Sequence, residues 1–101
     1  MAEQRFPVRG EVDFSSASGV QDELLALVNS TSDDLVLDCE GLEFVDSTGI
    51  AVFVQTQRIL ELQERRIRVV NLRGMARRAF DLLGLSEVLG IADDEAKSRA
   101  S

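Results

Sequence analysis

Residues 46–49 read Asp-Ser-Thr-Gly and interrupt an otherwise apolar stretch, with Phe44-Val45 before them and Ile50-Ala51 after. Two roles fit a carboxylate, two hydroxyls and a glycine in that order. Asp46 is a preferred helix N-cap, its carboxylate accepting from the N–H of Thr48 or Gly49. Ser47 and Thr48 then occupy the first turn, where poor helix propensity matters least. Alternatively, Ser47 is a hydroxyl placed for chemistry. Gly49 is the odd residue for a plain cap, since glycine in a helix costs about 1 kcal/mol relative to alanine. A residue without Cβ would let a partner or nucleotide approach the neighbouring hydroxyl closely.

Other chemistries are excluded by what is missing. The chain has no histidine, which removes the usual general base, nucleophile activator and transition-metal ligand. A nucleophile elbow needs G-x-S-x-G, and Val45 stands where the first glycine would be. No Gly-Lys pair supports a phosphate-binding loop, and nothing matches G-x-G-x-x-G. The single Cys39, inside LVLDCE, points to a buried, inert thiol. Asp93, Asp94 and Glu95 form a solvated acidic run rather than a metal site. The residues therefore argue against an enzyme and require no cofactor.

The 101 residues make one domain, with an ordered core over about 5–92 and a polar tail over 93–101. Eighteen acidic against 11 basic residues give a net charge of −7, a surface that repels nucleic acid and anionic membranes. No apolar run reaches the roughly 20 residues of a membrane span, and MAEQRFPVRG lacks a signal-peptide core, so a cytoplasmic location is expected.

The elements that must position Asp46 and Ser47 follow from periodicity. Phe6 and Val8 alternate in a strand that Gly10 ends in a turn. Val20, Leu24, Leu27 and Val28 recur at helical spacing, with Ser16 or Ser18 as N-cap. DLVLDC is a short buried strand. Residues 50–65 form the longest helix, whose stripe is Val52, Phe53, Thr56, Ile59 and Leu60. RIRVVN is the next strand and GMARRAFDLLG a helix closed by Gly84 and Leu85. SEVLGI adds a final short strand. Alternation of this kind predicts an α/β sheet with right-handed crossovers. Ile50 and Val54 project away from the core stripe on the side of Gln57 and Glu61, either at the core edge or as a small exposed patch. The pairs Arg65-Arg66 and Arg77-Arg78 read as polar helix faces.

With these elements in place, GEVD, LVLDCEGLEFVDSTGI and RRAFDLLGL, in that order between Phe6 and Ile91, resemble a STAS domain of the anti-sigma factor antagonist type. The resemblance implies a small mixed sheet of about four strands with helices mainly on one face. It also implies a protein-binding switch that sequesters an anti-sigma factor, itself a serine kinase of the ATPase superfamily. By the same resemblance Ser47 is the phosphoacceptor, with Thr48 the minor alternative, and a PP2C-like phosphatase reverses the modification. Asp13, Asp38, Asp46 and Gly49 would support the phosphosite, and Ile50, Val54 and Gln57 would contact the partner. Two other roles stay open within this resemblance: an unphosphorylated scaffold or regulatory subunit of a stress-signalling or transporter complex, and a nucleotide- or lipid-binding module. The family usually carries one more strand before the first, for which MAEQR is too short, so either that edge strand is lacking or the chain is shortened. The glycine often found after the long helix is also missing from ERRIRVV.

Overall fold

A computed structural model of the chain describes residues 2–92. Strands β1 (Glu3–Val12), β2 (Asp34–Val45) and β3 (Ile67–Val70) alternate with helices α1 (Ala17–Ser30), α2 (Ser47–Leu62) and α3 (Gly74–Leu82). The strands pair in parallel in the order β1-β2-β3, as the alternating pattern requires. A fourth strand is reduced to a single parallel bridge between Val69 and Ile91, because residues 86–90 are taken up by turns. The sheet is thus wholly parallel among the described residues, and its expected last strand is one residue pair. The polar tail over 93–101, with its acidic run, lies outside the described residues.

Gly10 does not end the first strand. Its φ of +67° lets the backbone shift register between Pro7 and Glu11, and pairing then resumes to Val12 opposite Val45. The residues before Phe6 belong to the same strand, and no described strand precedes it, so β1 forms one edge of the sheet.

One face of the sheet carries the core. Val8, Val12, Leu35, Leu37, Cys39 and Val69 pack with Leu24 and Val28 of α1, Val52, Phe53 and Leu60 of α2, and Ala76 and Phe80 of α3. The Phe53 and Phe80 rings meet tilted at 5.3 Å, tying α2 to α3. Thr56 is buried within this stripe because its hydroxyl donates to the Val52 carbonyl at 2.8 Å. Burial, with the Asp38 charge adding to it, pushes the Cys39 thiol up to about 12, in keeping with an inert side chain.

The helix ends explain several residues that looked merely polar. At the end of α3, Gly84 takes φ +69°, and the Leu85 N–H donates to the Phe80 carbonyl at 3.1 Å, the expected glycine cap. The end of α2 uses the same pattern without glycine: Glu64 sits at φ +57°, and the Arg65 N–H donates to the Leu60 carbonyl at 2.8 Å. A side chain in that conformation costs about 1 kcal/mol or more. Glu64→Gly is therefore expected to stabilise the domain by about 0.5–1 kcal/mol, read as a rise in the urea midpoint at unchanged slope. Arg65 is not a solvated helix-face residue. Its guanidinium donates to the Val28 and Asp33 carbonyls, closing the carboxyl end of α1.

Candidate functional site

Asp46 leaves β2 in an extended conformation, φ −107° and ψ −174°, and caps α2. One carboxylate oxygen accepts from the Gly49 N–H at 3.0 Å, and its main-chain carbonyl accepts from Ile50 N–H at 2.9 Å. The other carboxylate oxygen accepts from the Phe14 N–H, also at 3.0 Å. One side chain therefore pins the start of α2 to the loop between β1 and α1. Ser47 is the first residue of α2 and is exposed, as is Thr48. A group attached to the Ser47 oxygen would lie beside the unpaired N–H groups of the first turn, where the helix dipole favours negative charge.

Gly49 is explained from inside the molecule. A Cβ at this position would overlap the Val12 carbonyl oxygen and come within 2.7 Å of the Val45 side chain. That same carbonyl accepts from the Asp46 N–H at 3.3 Å. The missing Cβ lets α2 lie directly against the end of β1; the expectation that it clears a path for a ligand is replaced by this contact.

The acidic residues expected around Ser47 separate into two groups. Asp13 belongs to the same end of the sheet, one residue before Phe14, but its carboxylate is engaged in its own turn. It accepts from the Ser15 hydroxyl at 2.8 Å and from the Ser15 and Ser16 amides, and these hydrogen bonds hold its carboxyl below the usual range. Ser16 opens α1 from the same turn. Asp38 does not join the site. It lies on β2 eight residues before Asp46, and with the two register shifts in the pairing this is on the order of 20 Å away along the strand. It is paired across the sheet with Arg5 at 3.1 Å and hydrogen-bonded to buried Asn71 at 3.0 Å.

Burial alone would raise the Asp38 carboxyl; hydrogen bonds from Asn71, the Glu40 amide and Arg5 outweigh it and keep the carboxyl below its ordinary value. Stability from such a group is fully present above its unfolded value near 4 and is lost as pH falls through the lower folded value. Asp38→Asn is expected to flatten the loss of stability below about pH 4, as followed by urea denaturation at stepped pH.

The residues expected to touch a partner also divide. Ile50 is only 8% exposed and belongs to the core cluster, and Val54 is half-buried against it. Burial at the core edge, not an exposed patch, is the outcome for Ile50. Gln57 is partly exposed and donates to Glu61 along the helix at 2.9 Å. Phe14 is the prominent residue that periodicity passed over: it stands 84% exposed beside the Asp46 cap, with Phe44 half-exposed on β2 two residues before that cap. A concavity of about 610 Å³, lined by Glu3, Asp34, Ile67 and Arg68, opens at the amino-terminal ends of the strands, the end opposite Ser47. No helix of the described chain is long and apolar enough to cross a membrane.

Comparison with known proteins bears on the family and the fold. A family model for the STAS domain matches residues 5–98. The anti-sigma-B factor antagonist of Bacillus subtilis (strain 168) is 31% identical over 85 residues, covering 84% of this chain and 77% of that protein. The anti-sigma-B factor antagonist of Staphylococcus aureus (strain NCTC 8325 / PS 47) is 23% identical over 84 residues, covering 83% and 78%. Among solved structures, the anti-sigma factor antagonist SpoIIAA in its unphosphorylated form superposes with a TM-score of 0.79 at 19% identity, covering 97% of this chain and 84% of that one. A sulfate transporter family protein from Wolinella succinogenes gives 0.75, also at 19% identity, covering 97% and 82%. The matched span takes in both strand ends, the Asp46 cap and the helix it starts, and on these grounds the chain belongs to the STAS domain family.

Proposed function

We propose that this protein is an anti-sigma factor antagonist, a binding switch set by phosphorylation of Ser47. The observation that carries the proposal is an exposed serine at the first position of α2, held by the Asp46 cap. Its fit with the relatives' names as anti-sigma factor antagonists supports it. In this reading the unphosphorylated protein binds an anti-sigma factor that is also a serine kinase of the ATPase-superfamily type, in the cytoplasm. Phosphate transfer from ATP to the Ser47 hydroxyl ends the complex, and a PP2C-like phosphatase hydrolyses the ester to restore it. The protein has no catalytic role of its own.

Phosphorylation adds about −1.5 to −2 charge and three acceptor oxygens. The first-turn N–H groups of α2 accommodate that charge, and Asp46 opposes it, so the fold survives. A partner face packed tightly over Ser47 does not accommodate it, because a desolvated dianion costs several kcal/mol unless a cation is built to meet it.

Incubation with the cognate kinase and ATP, followed by phosphopeptide mapping, is expected to place one phosphate on Ser47. Phosphate on Thr48 alone, or elsewhere in the chain, would sink the assignment.

A further inference from the structure

We infer that Phe14 is the anchor by which the switch surface holds its partner, and that the partner offers an apolar pocket with a basic rim. The inference rests on the antagonist reading of Ser47 and names the chemistry of its contact. Phe14 exposes 84% of its surface, although a phenylalanine can bury 150–250 Å² of apolar area at low entropic cost. Its position relative to Ser47 is fixed: its own N–H is bonded to the Asp46 carboxylate, which caps the helix that Ser47 begins. The turn around it is closed by Asp13, Ser15 and Ser16. The ring therefore projects from a backbone already held in place, so little ordering is left for binding to supply.

The charge around it selects the partner. Residues 10–18 and 43–51, which form the two sides of this end of the molecule, contain Glu11, Asp13, Glu43 and Asp46 and no lysine or arginine. Four acidic residues on the two segments at this end, with no basic residue on either, complement an apolar pocket bordered by lysine or arginine. The rim cations would speed encounter and fix orientation, while the packed centre over Phe14 and Ser47 excludes water. Phosphorylated Ser47 then brings a bulky dianion to that centre, away from the rim.

The test measures affinity for the purified cognate anti-sigma factor kinase by titration calorimetry, with Ser47→Ala as a reference that cannot be phosphorylated. Adding Phe14→Ala to that reference is expected to lower affinity by roughly 30-fold or more, and Phe14→Tyr to restore most of it. Leu62→Ala, which removes another exposed apolar side chain at the far end of α2, should leave affinity unchanged. Raising the salt concentration should weaken the reference complex. Thermal melts of the Phe14 variants should match the reference, since the ring is not in the core. Affinity of Phe14→Ala within about twofold of the reference overturns the inference while leaving the switch intact. Failure of the Ser47→Ala reference itself to bind the kinase overturns both.

Discussion

Gly49→Ala is expected to lose about 2–4 kcal/mol of stability, a drop of about 10–20 °C in Tm for a domain of this size. In most helices the same change gains about 1 kcal/mol. Here the new methyl group meets the Val12 carbonyl oxygen and the Val45 side chain. The first of these is main chain at a paired strand end, so α2 rather than β1 must move. Moving α2 stretches the 3.0 Å bond from Gly49 N–H to Asp46 and disturbs the burial of Phe53 and Leu60 behind it. Gly19 supplies the control, because it lies inside α1 and a methyl group there would meet nothing within 4 Å. Gly19→Ala is expected to be neutral or stabilising by up to about 1 kcal/mol. Thermal and urea denaturation of the pair would show the contrast; a Gly49→Ala protein as stable as the parent would contradict the close approach.

The second large effect is on binding. Ser47→Ala removes the proposed phosphoacceptor without touching the cap, since the bonds that form it come from Asp46, Gly49 and Ile50. It is expected to fold normally, bind the anti-sigma factor as the unmodified protein does, and resist being switched off. Ser47→Glu places a charge beside the same first-turn N–H groups, where the helix end favours it, so its melting temperature should stay close to that of the parent. Its affinity should nonetheless fall by at least tenfold, less than for the true phosphate because a carboxylate carries a single charge. Unchanged binding by Ser47→Glu would instead fit a STAS scaffold that works without phosphorylation.

Much of the frame was legible because it depends on local pattern. The stripe Val52, Phe53, Thr56 and Leu60 is buried as its spacing requires, and Gly84 closes α3 as a left-handed cap. The Asp46 cap was legible too, since its acceptor reaches only three residues along the chain. What escaped depends on contacts distant in sequence. The need for glycine at position 49 is set by a carbonyl 37 residues earlier, at the end of a strand that had been expected to stop at Gly10. Asp38 looked like part of the acidic surround, but the length of β2 puts it far from Ser47 and against Arg5 and Asn71. Ile50 lies off the main stripe by the helical period, yet the close approach of α2 to β1 buries it. Phe14 escaped because it lies beyond Gly10 and outside every periodic element; the strand runs on to Val12, and the Asp13 turn then leaves the ring outside.

The central claim, that phosphate on Ser47 decides whether this domain is held by its partner, is tested most directly by one titration. The stoichiometrically phosphorylated protein and its phosphatase-treated counterpart would each be titrated into the cognate anti-sigma factor kinase. The account predicts tight binding by the dephosphorylated form and a loss on the order of a thousandfold on phosphorylation, with both forms folded by circular dichroism. Equal affinity of the two forms would contradict it.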